Sequence, residues 1–511
     1  MDNVIKIKSM NIFLGPDLTN PILKNVDFEI TKPTMVSIMG ESGVGKSLFG
    51  FSLLSKEELY GATKDYNLFK CGNNVVADVP IEHFSYVPQE PLSSLNPVIS
   101  IFKHFDLNQR ENSGAFDLTK ESLRLLAEVG FANPNYILSM FPHELSGGMA
   151  QRVLIALALQ NNPKILIADE ATSSLDAVNE KIILDLLSKI SKTRHLTIIL
   201  ITHDSRIAKS YCSEHYFIKN NKLNLIKPMD FESFHVLSGH KINHSSLPIS
   251  PQNDSTEVVE VKNLSFGFSK NENILKNVNF KINQGEVLGL IGLSGSGKST
   301  ITKVLMKLYE AENGSCFLFG KDIGKYSTKS YATFVQIVFQ DLYGSLNPKR
   351  KILNILLDSF LVNKNSAIPG STQKTSSKIA DFEFKISIYL KKVGLNINIL
   401  NRYPSSLSGG QRQKVLILKA LLANPKLIIF DEPMSSLDIN SQNEIIKIIK
   451  SLYLEGNITI LFITHDYRLI QALCNRVMVL SDGEIVEDGK TSEVFANPIH
   501  KATKKILEVV K

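Results

Sequence analysis

The sequence predicts an α/β chain built twice, each half around a parallel sheet. Three observations predict it. Blocks of sequence recur in the same order, 251 to 262 positions apart. Each half holds short, nearly continuous apolar runs, which suit parallel strands buried on both faces. In each half a glycine-rich turn separates such a run from a segment of helical periodicity.

The repeat fixes the domain organisation. Leu23-Lys24-Asn25-Val26-Asp27-Phe28 returns as Leu275-Lys276-Asn277-Val278-Asn279-Phe280, 252 positions on. Gly40–Ser47 returns as Gly292–Ser299 at the same offset, and Gln89 as Gln340 at 251. Leu145-Ser146-Gly147-Gly148 maps to Leu407-Ser408-Gly409-Gly410 at 262, as do Asp169-Glu170 to Asp431-Glu432 and His203 to His465. One long period marks a duplicated domain rather than a solenoid. The step from 251 to 262 places an insertion in the second copy, where the polar segment Asn363–Lys378 reads as a surface loop. The expected boundaries are a first domain at 1–228, a flexible Ser/Pro/Asn-rich linker at 229–256 and a second domain at 257–511. His235, His240 and His244 read as solvated linker histidines.

The strands follow in order. Lys164–Ala168, Thr197–Thr202, Leu427–Phe430 and Thr459–Thr464 read as buried parallel strands. Val287–Ile291 ends in glycine, and Ile301, Val304, Leu305 and Leu308 then follow at i, i+3, i+4 and i+7, one apolar helix face.

Composition narrows the classes. With 511 residues, 43% hydrophobic and 21% charged, the chain has the balance of ordinary globular protein. No apolar run approaches the ~20 residues of a membrane-spanning helix, and the N-terminus does not read as a secretion signal. Cys71, Cys212, Cys316 and Cys474 form no CxxC pair, which argues against a zinc or iron–sulfur cluster and fits a reducing cytosol. The net charge of +7 is spread thinly, so no nucleic-acid partner is expected.

The chemistry begins at the glycine turns. Gly40-Glu41-Ser42-Gly43-Val44-Gly45-Lys46-Ser47 and Gly292-Leu293-Ser294-Gly295-Ser296-Gly297-Lys298-Ser299-Thr300 both fit GxxxxGK[ST] between a strand and a helix. Glycines let successive backbone N–H groups wrap phosphate oxygens, and the helix N-terminus adds positive potential. Lys46 and Lys298 would reach the β- and γ-phosphates, and Ser47 and Ser299 would coordinate Mg²⁺. Asp169 and Asp431 end apolar strands and can hold Mg²⁺ through water, and Glu170 and Glu432 can accept the proton of an attacking water. Without the phosphate loops upstream, these would be ordinary strand-end carboxylates.

With Leu407-Ser408-Gly409-Gly410-Gln411, the glutamines Gln89 and Gln340 and the histidines His203 and His465, the set resembles the ATP-binding-cassette (ABC) ATPases, once per half over nearly the whole chain. The resemblance implies two P-loop NTPase cassettes, each a parallel-sheet core with a small antiparallel β subdomain and a helical subdomain. It implies ATP and Mg²⁺ as ligands. It also implies composite sites: the first loop, Gln89, Asp169, Glu170 and His203 with Ser408–Gln411, and the second loop, Gln340, Asp431, Glu432 and His465 with Ser146, Gly147, Gly148 and Met149. In such a site the histidines contact the γ-phosphate, the glutamines sense Mg²⁺, and Ser174-Leu175-Asp176 and Ser436-Leu437-Asp438 link the cassettes. Phe268 is the candidate to stack on adenine in the second half, and Phe13 in the first.

A finer resemblance lies in Val338-Phe339-Gln340-Asp341-Leu342-Tyr343-Gly344-Ser345-Leu346-Asn347-Pro348, which looks like the oligopeptide, dipeptide and nickel importer ATPases. Phe141–Met149, Tyr403–Gln411 and the tail Asn497-Pro498-Ile499-His500 resemble the same group. That likeness implies an ATPase on the cytoplasmic face of the membrane. It would energise import of short peptides or nickel-type metal complexes through two transmembrane permease subunits and an extracellular solute-binding protein. Sugar or nucleoside importers also use tandem cassettes, but lack the stretch around Gln340. A twin-cassette translation factor would join its halves by a long charged helix, unlike the linker here.

Overall fold

The structure is a computed structural model and describes residues 4–15, 19–40, 43–57, 61–66, 68–71, 74–75, 83–109, 117–172, 175, 177–226, 256–268, 273–310, 314–341, 344–364, 375–434, 437, 439–455 and 458–508. The chain divides into two compact units, Met1–His240 and Lys241–Lys511. The linker at 229–256 lies, but for Thr256, outside the described residues.

The first unit holds β1 (Ile5–Leu14), β2 (Leu23–Ile30), β3 (Met35–Gly40), β4 (Ala62–Asp65), β5 (Leu68–Cys71), β6 (Asn74–Val75), β7 (Phe84–Val87), β8 (Ile165–Asp169), β9 (Thr197–Ile201), β10 (Glu214–Lys219) and β11 (Lys222–Ile226). Two sheets form among the described residues. The core sheet runs β11-β10-β3-β9-β8-β7. Its pairings are parallel except for β10 with β11, a hairpin edge. The second sheet runs β2-β1-β5-β6, with β4 on β1, and is antiparallel. Between β7 and β8 the helices Ile101–Asn108, Leu118–Glu128, Pro134–Ser139 and Gly147–Leu159 form a helical insertion.

The second unit repeats the plan with β12 (Glu257–Phe266), β13 (Leu275–Asn283), β14 (Val287–Gly292), β15 (Cys316–Leu318), β16 (Lys321–Asp322), β17 (Val335–Val338), β18 (Leu427–Asp431), β19 (Thr459–Thr464), β20 (Arg476–Ser481) and β21 (Glu484–Lys490). Its core sheet runs β17-β18-β19-β14-β20-β21, and its antiparallel sheet β13-β12-β15-β16. The helices Ile352–Lys364, Thr375–Lys392 and Gly409–Leu422 lie between β17 and β18.

Two-sided burial explains the apolar runs. Side chains alternate across a strand. In β8, Ile165 and Ile167 join the core beneath β1, with Ile5, Phe28 and Phe49, while Leu166 and Ala168 join the core of the helical insertion, with Phe105 and Ile155. β9 divides the same way, Ile199 and Ile201 against Ile198 and Leu200. Each such side chain contributes about 1.5–3 kcal/mol by leaving water. A polar residue inside either strand would lose that on one face or the other.

Two expectations need correction. The helix after the second glycine turn ends at Leu305, and Leu308 is 61% exposed. Lys307 takes a left-handed φ of 56° there, which breaks the helical spacing before Leu308. The Asn363–Lys378 segment is not all loop. Asn363 and Lys364 end one helix and Thr375–Lys378 begin the next, leaving 365–374 outside the described residues. Apolar spacing on both sides of the polar stretch carries the helices into it. Among the described residues no helix is long and apolar enough to cross a membrane.

The β20–β21 turn props the second glycine loop. The Gly483 N–H donates to the Ser296 carbonyl at 3.2 Å, and the Lys276 N–H donates to the Gly483 carbonyl at 2.9 Å. Gly483 sits at φ +84°, and a Cβ there would lie 2.1 Å from the Ile274 carbonyl oxygen. Gly483→Ala is therefore expected to destabilise the second unit by about 1–3 kcal/mol in urea unfolding. Asn221→Ala, at the matching turn of the first unit, should cost less, because Asn221 already carries a Cβ at φ 62°.

Candidate functional site

In both units the candidate residues collect at the carboxyl ends of the parallel strands, where open α/β sheets place their ligands. Gly40 ends β3, Asp169 ends β8, and Gln89 and His203 follow β7 and β9 by two residues. Gly292 and Asp431 likewise end β14 and β18, Gln340 follows β17 by two residues, and His465 follows β19 by one.

The glycine loops turn through left-handed backbone at Gly43 and Gly45, φ 80° and 98°, and at Gly295 and Gly297, φ 78° and 106°. Gly40 and Gly292 must lack a side chain for another reason. A Cβ on Gly292 would stand 2.4 Å from the Leu480 carbonyl oxygen, and one on Gly40 would stand 2.9 Å from Val44 Cγ2. Lys46 and Lys298 begin the following helices and are buried. Their ammonium groups turn back onto the loop, Lys46 Nζ donating to the Gly40 carbonyl at 2.9 Å and Lys298 Nζ to the Gly292 carbonyl at 2.8 Å. Each glycine turn thus has a buried cation folded against it at a helix start, chemistry suited to an anion. Val44, Ser47, Leu293, Ser294, Ser296, Ser299 and Thr300 lie on these loops and helix starts. Glu41 and Ser42 lie outside the described residues.

The carboxylates behave as neighbours with separate tasks. Burial pushes the Asp169 carboxyl up, and the Ser47 and Tyr86 hydroxyls draw it partly back. Asp169 Oδ1 is buried with no hydrogen-bond partner. A hard oxygen donor set of hydroxyl and carboxylate beside a phosphate cradle fits Mg²⁺. Asp431 is pushed up to about 6 by burial and then by the charge of Glu432. Glu170 and Glu432 occupy left-handed backbone at φ 43° and 46°, a conformation uncommon for a side-chain-bearing residue. Their N–H groups donate to the Ile201 and Ile463 carbonyls at 2.9 Å, which fixes that turn.

Glutamine and histidine converge on each glutamate. Gln89 Nε2 donates to Glu170 Oε2 at 3.0 Å and Gln340 Nε2 to Glu432 Oε2 at 3.4 Å. His203 Nδ1 lies 3.5 Å from Glu170 Oε1, and His465 Nδ1 lies 3.1 Å from Glu432 Oε2. Burial opposes a charged His203, but the hydrogen bond and charge of Glu170 outweigh it and raise the histidine pKa. The same pair lowers that of Glu170 against burial. Such a glutamate stays ionised as a base and is held in one orientation.

The signature serines cap helices. Ser146 Oγ accepts from the Met149 N–H, and Ser408 Oγ accepts from the Gln411 N–H, both at 3.3 Å. The Gln411 side chain closes a capping box by accepting from the Ser408 N–H at 3.3 Å. Met149 cannot do this, so the two signatures differ by one bond. A capping hydroxyl still has its own proton to donate. Gly147, Gly148, Gly409 and Gly410 form the first turns of these helices. Ser174, Asp176, Ser436 and Asp438 lie outside the described residues.

The aromatic candidates part company. Phe268 is 70% exposed and meets the Phe266 and Tyr309 rings edge-on at 5.5 and 5.4 Å, while those two stack at 5.0 Å. Phe13 is only 9% exposed and cannot serve as a platform. Strand register explains the error. Leu23 pairs with Ile12 but Leu275 pairs with Phe266, so the place of Phe268 falls to Leu14, two residues past Ile12. The two ladders match pair for pair, but the β1–β2 connection is two residues longer than its counterpart, and that difference hides the correspondence in the linear sequence. Sequence reasoning also missed Tyr86, whose phenol donates to Asp169 Oδ2 at 2.7 Å, and Thr302, which draws the Asp431 carboxyl partly back down against burial. No motif names either. The aspartates after the histidines, Asp204 and Asp466, cap helices and pair with Arg206 and Arg468.

Comparison with known proteins decides the family. The ABC transporter profile matches residues 23–173 and 275–435, more than half of the chain. The chain belongs to the ABC transporter family. It carries two of the family's ATPase cassettes. It is 29% identical over 517 residues to the peptidoglycan transport ATP-binding protein YejF of Agrobacterium fabrum, covering 96% of this chain and 93% of that one. It is 31% identical over 568 residues to the glutathione import ATP-binding protein GsiA of Shigella dysenteriae, at 99% and 89% coverage. It is also 31% identical over 533 residues to the uncharacterized ABC transporter ATP-binding protein YejF of Escherichia coli, at 99% of both chains.

The His203–Glu170 pair of the first cassette sets a pH dependence. A raised histidine pKa contributes stability that is complete below the unfolded value, about 6.5, and is lost as pH rises through the folded value. A lowered glutamate pKa contributes stability present above about 4.5 and lost as pH falls through its folded value. The pair is therefore strongest between those limits. In histidine-labelled NMR titrations, Glu170→Gln should move the His203 pKa downward, because the hydrogen bond and charge of Glu170 are lost while burial and Lys46 still oppose the charged form.

Proposed function

We propose that this chain is the ATP-hydrolysing subunit of a peptide-type importer, working at the cytoplasmic face of the membrane with two permease subunits and a solute-binding protein. The observation that carries the catalytic part is the convergence, in each cassette, of a buried lysine, a metal-binding carboxylate and a histidine-held glutamate at one sheet edge. Ser47 and Asp169, or Ser299 and Asp431, with Gln89 or Gln340, would hold Mg²⁺, which would supply charge neutralisation at the phosphates of ATP. The chain's own groups do the rest. The loop amides and Lys46 or Lys298 bind the phosphates. Glu170 or Glu432 takes the proton of the attacking water, and His203 or His465 steadies that glutamate and the γ-phosphate. The signature Ser408–Gln411 serves the nucleotide of the first loop, and Ser146–Met149 that of the second, as the resemblance to ABC ATPases implies.

Two features support coupling and cargo. A groove of about 610 Å³, lined by Leu54, Tyr86, Pro88, Leu95, His104 and Leu107, lies against the Gln89 segment of the first cassette. It offers an apolar seat for a permease helix next to the residue that touches Glu170. Relatives spanning nearly the full chain carry names for glutathione and peptidoglycan import. These favour a peptide cargo over the nickel-type complex that the Gln340 stretch would also fit.

The two nucleotide sites are unequal at the base. Phe268 offers an exposed ring where the first cassette has Leu14, 53% exposed. Base–aromatic stacking is worth about 1–3 kcal/mol. Phe268→Leu should lower ATP affinity at one of two sites by about tenfold in calorimetry, and Leu14→Phe should raise it at the other. Uptake tests the whole reading. A strain lacking the chain should lose uptake of labelled short peptides and keep sugar uptake. Intact peptide uptake with loss of Ni²⁺ or sugar uptake would overturn the cargo.

A further inference from the structure

The Mg²⁺-binding carboxylates of the two cassettes are held by different side chains from different elements. In the first cassette Tyr86, on β7, donates its phenol to Asp169 Oδ2 at 2.7 Å. Its ring is steadied by Phe51, 4.8 Å away. The ring passes beside Gly50, where a Cβ would stand in ordinary van der Waals contact with Tyr86 Cε2, at 4.0 Å. In the second cassette the place of Tyr86, three residues before the glutamine, is taken by Ile337, which has no donor. The place of Gly50, four residues after the loop lysine, is taken by Thr302. Thr302 is 1% exposed, donates its hydroxyl to the Lys298 carbonyl at 3.3 Å, and draws the Asp431 carboxyl partly back down against burial. Tyrosine with glycine in one cassette is thus exchanged for isoleucine with threonine in the other, and in the first cassette the Ser47 hydroxyl acts on Asp169 as well.

We propose that Tyr86 is a positioning residue for the metal-binding carboxylate of the first cassette, and that Thr302 is its counterpart in the second. The proposal rests on the reading of Asp169 and Asp431 as Mg²⁺ carboxylates. A hydrogen bond to one carboxylate oxygen fixes its rotation and leaves the other oxygen, Asp169 Oδ1, for the cation's shell. Groups that orient a metal-binding carboxylate in this way typically change metal affinity by about 10–100-fold.

The test uses the full chain, saturated with a non-hydrolysable ATP analogue and titrated with Mn²⁺ by electron paramagnetic resonance. Tyr86→Phe keeps the ring and removes only the donor. It should weaken one of two Mn²⁺ sites by about tenfold, with the other site and the melting temperature unchanged. Tyr86→Ile alone should weaken the same site, and Tyr86→Ile with Gly50→Thr should restore it to within about threefold, by transplanting the second cassette's arrangement. Room for that threonine needs the Ile201 Cδ1 methyl, 3.1 Å from the added Cβ, to turn away. Asp169→Asn separates the two layers of the argument. If it removes one Mn²⁺ site while Tyr86→Phe changes neither, the positioning role is overturned and the reading of Asp169 stands. If Asp169→Asn leaves both Mn²⁺ sites intact, the reading of the carboxylate falls and the proposal with it.

Discussion

Each core sheet is covered on both faces, and the placement of chemistry follows from that covering. β8 and β9 are buried at every residue, between a core beneath the antiparallel sheet and a core of the helical insertion. A charge inside such a strand would be stranded in a low-dielectric environment. Charged side chains that must sit close together therefore sit where the strands end. Asp169, the last residue of β8, is the first place a carboxylate can stand, and Glu170 turns away from the sheet through left-handed backbone. The same edge carries the glycine loop, because β3 lies in the middle of the sheet between β9 and β10. One packing constraint thus brings phosphate cradle, metal carboxylate and base within reach of each other.

Much of this was legible in the sequence, for a physical reason. Two-sided burial writes itself as unbroken apolar runs, and anion cradling writes itself as fixed glycine spacing, so the strands and both loops could be read directly. What could not be read depended on register or on distant partners. The β1–β2 connection is two residues longer than its second-cassette counterpart, so Phe13 looked like a platform at the place that Leu14 occupies. Tyr86 and Thr302 belong to no spacing rule; their role exists only because β7, β8 and the loop helices meet. Leu308 kept the helical spacing although the helix had ended at Leu305. Nothing in the sequence shows that a Cβ at Gly483 would lie 2.1 Å from the Ile274 carbonyl oxygen.

Duplication has preserved function and released detail. Both cassettes keep the lysine, aspartate, glutamate, glutamine and histidine, and both build the same glutamate–histidine contact. They differ at the base platform, at the signature's fifth residue and at the group holding the aspartate. These differences lie around the reacting atoms rather than at them. On the proposed reading they would alter how firmly nucleotide and metal are held and leave each half its full set of proposed reacting groups.

The central claim is that each cassette carries a complete hydrolytic centre built on its own glutamate. Steady-state ATPase rates of Glu170→Gln, Glu432→Gln and the double variant, with nucleotide stoichiometry measured alongside, test it most directly. Loss of a positioned general base costs about 10²–10⁴-fold at its own site. Each single variant should lose much of the turnover, and the double variant should be nearly inactive while still binding two nucleotides per chain. A single variant that turns over like the unmodified chain, beside another that is dead, would contradict the claim.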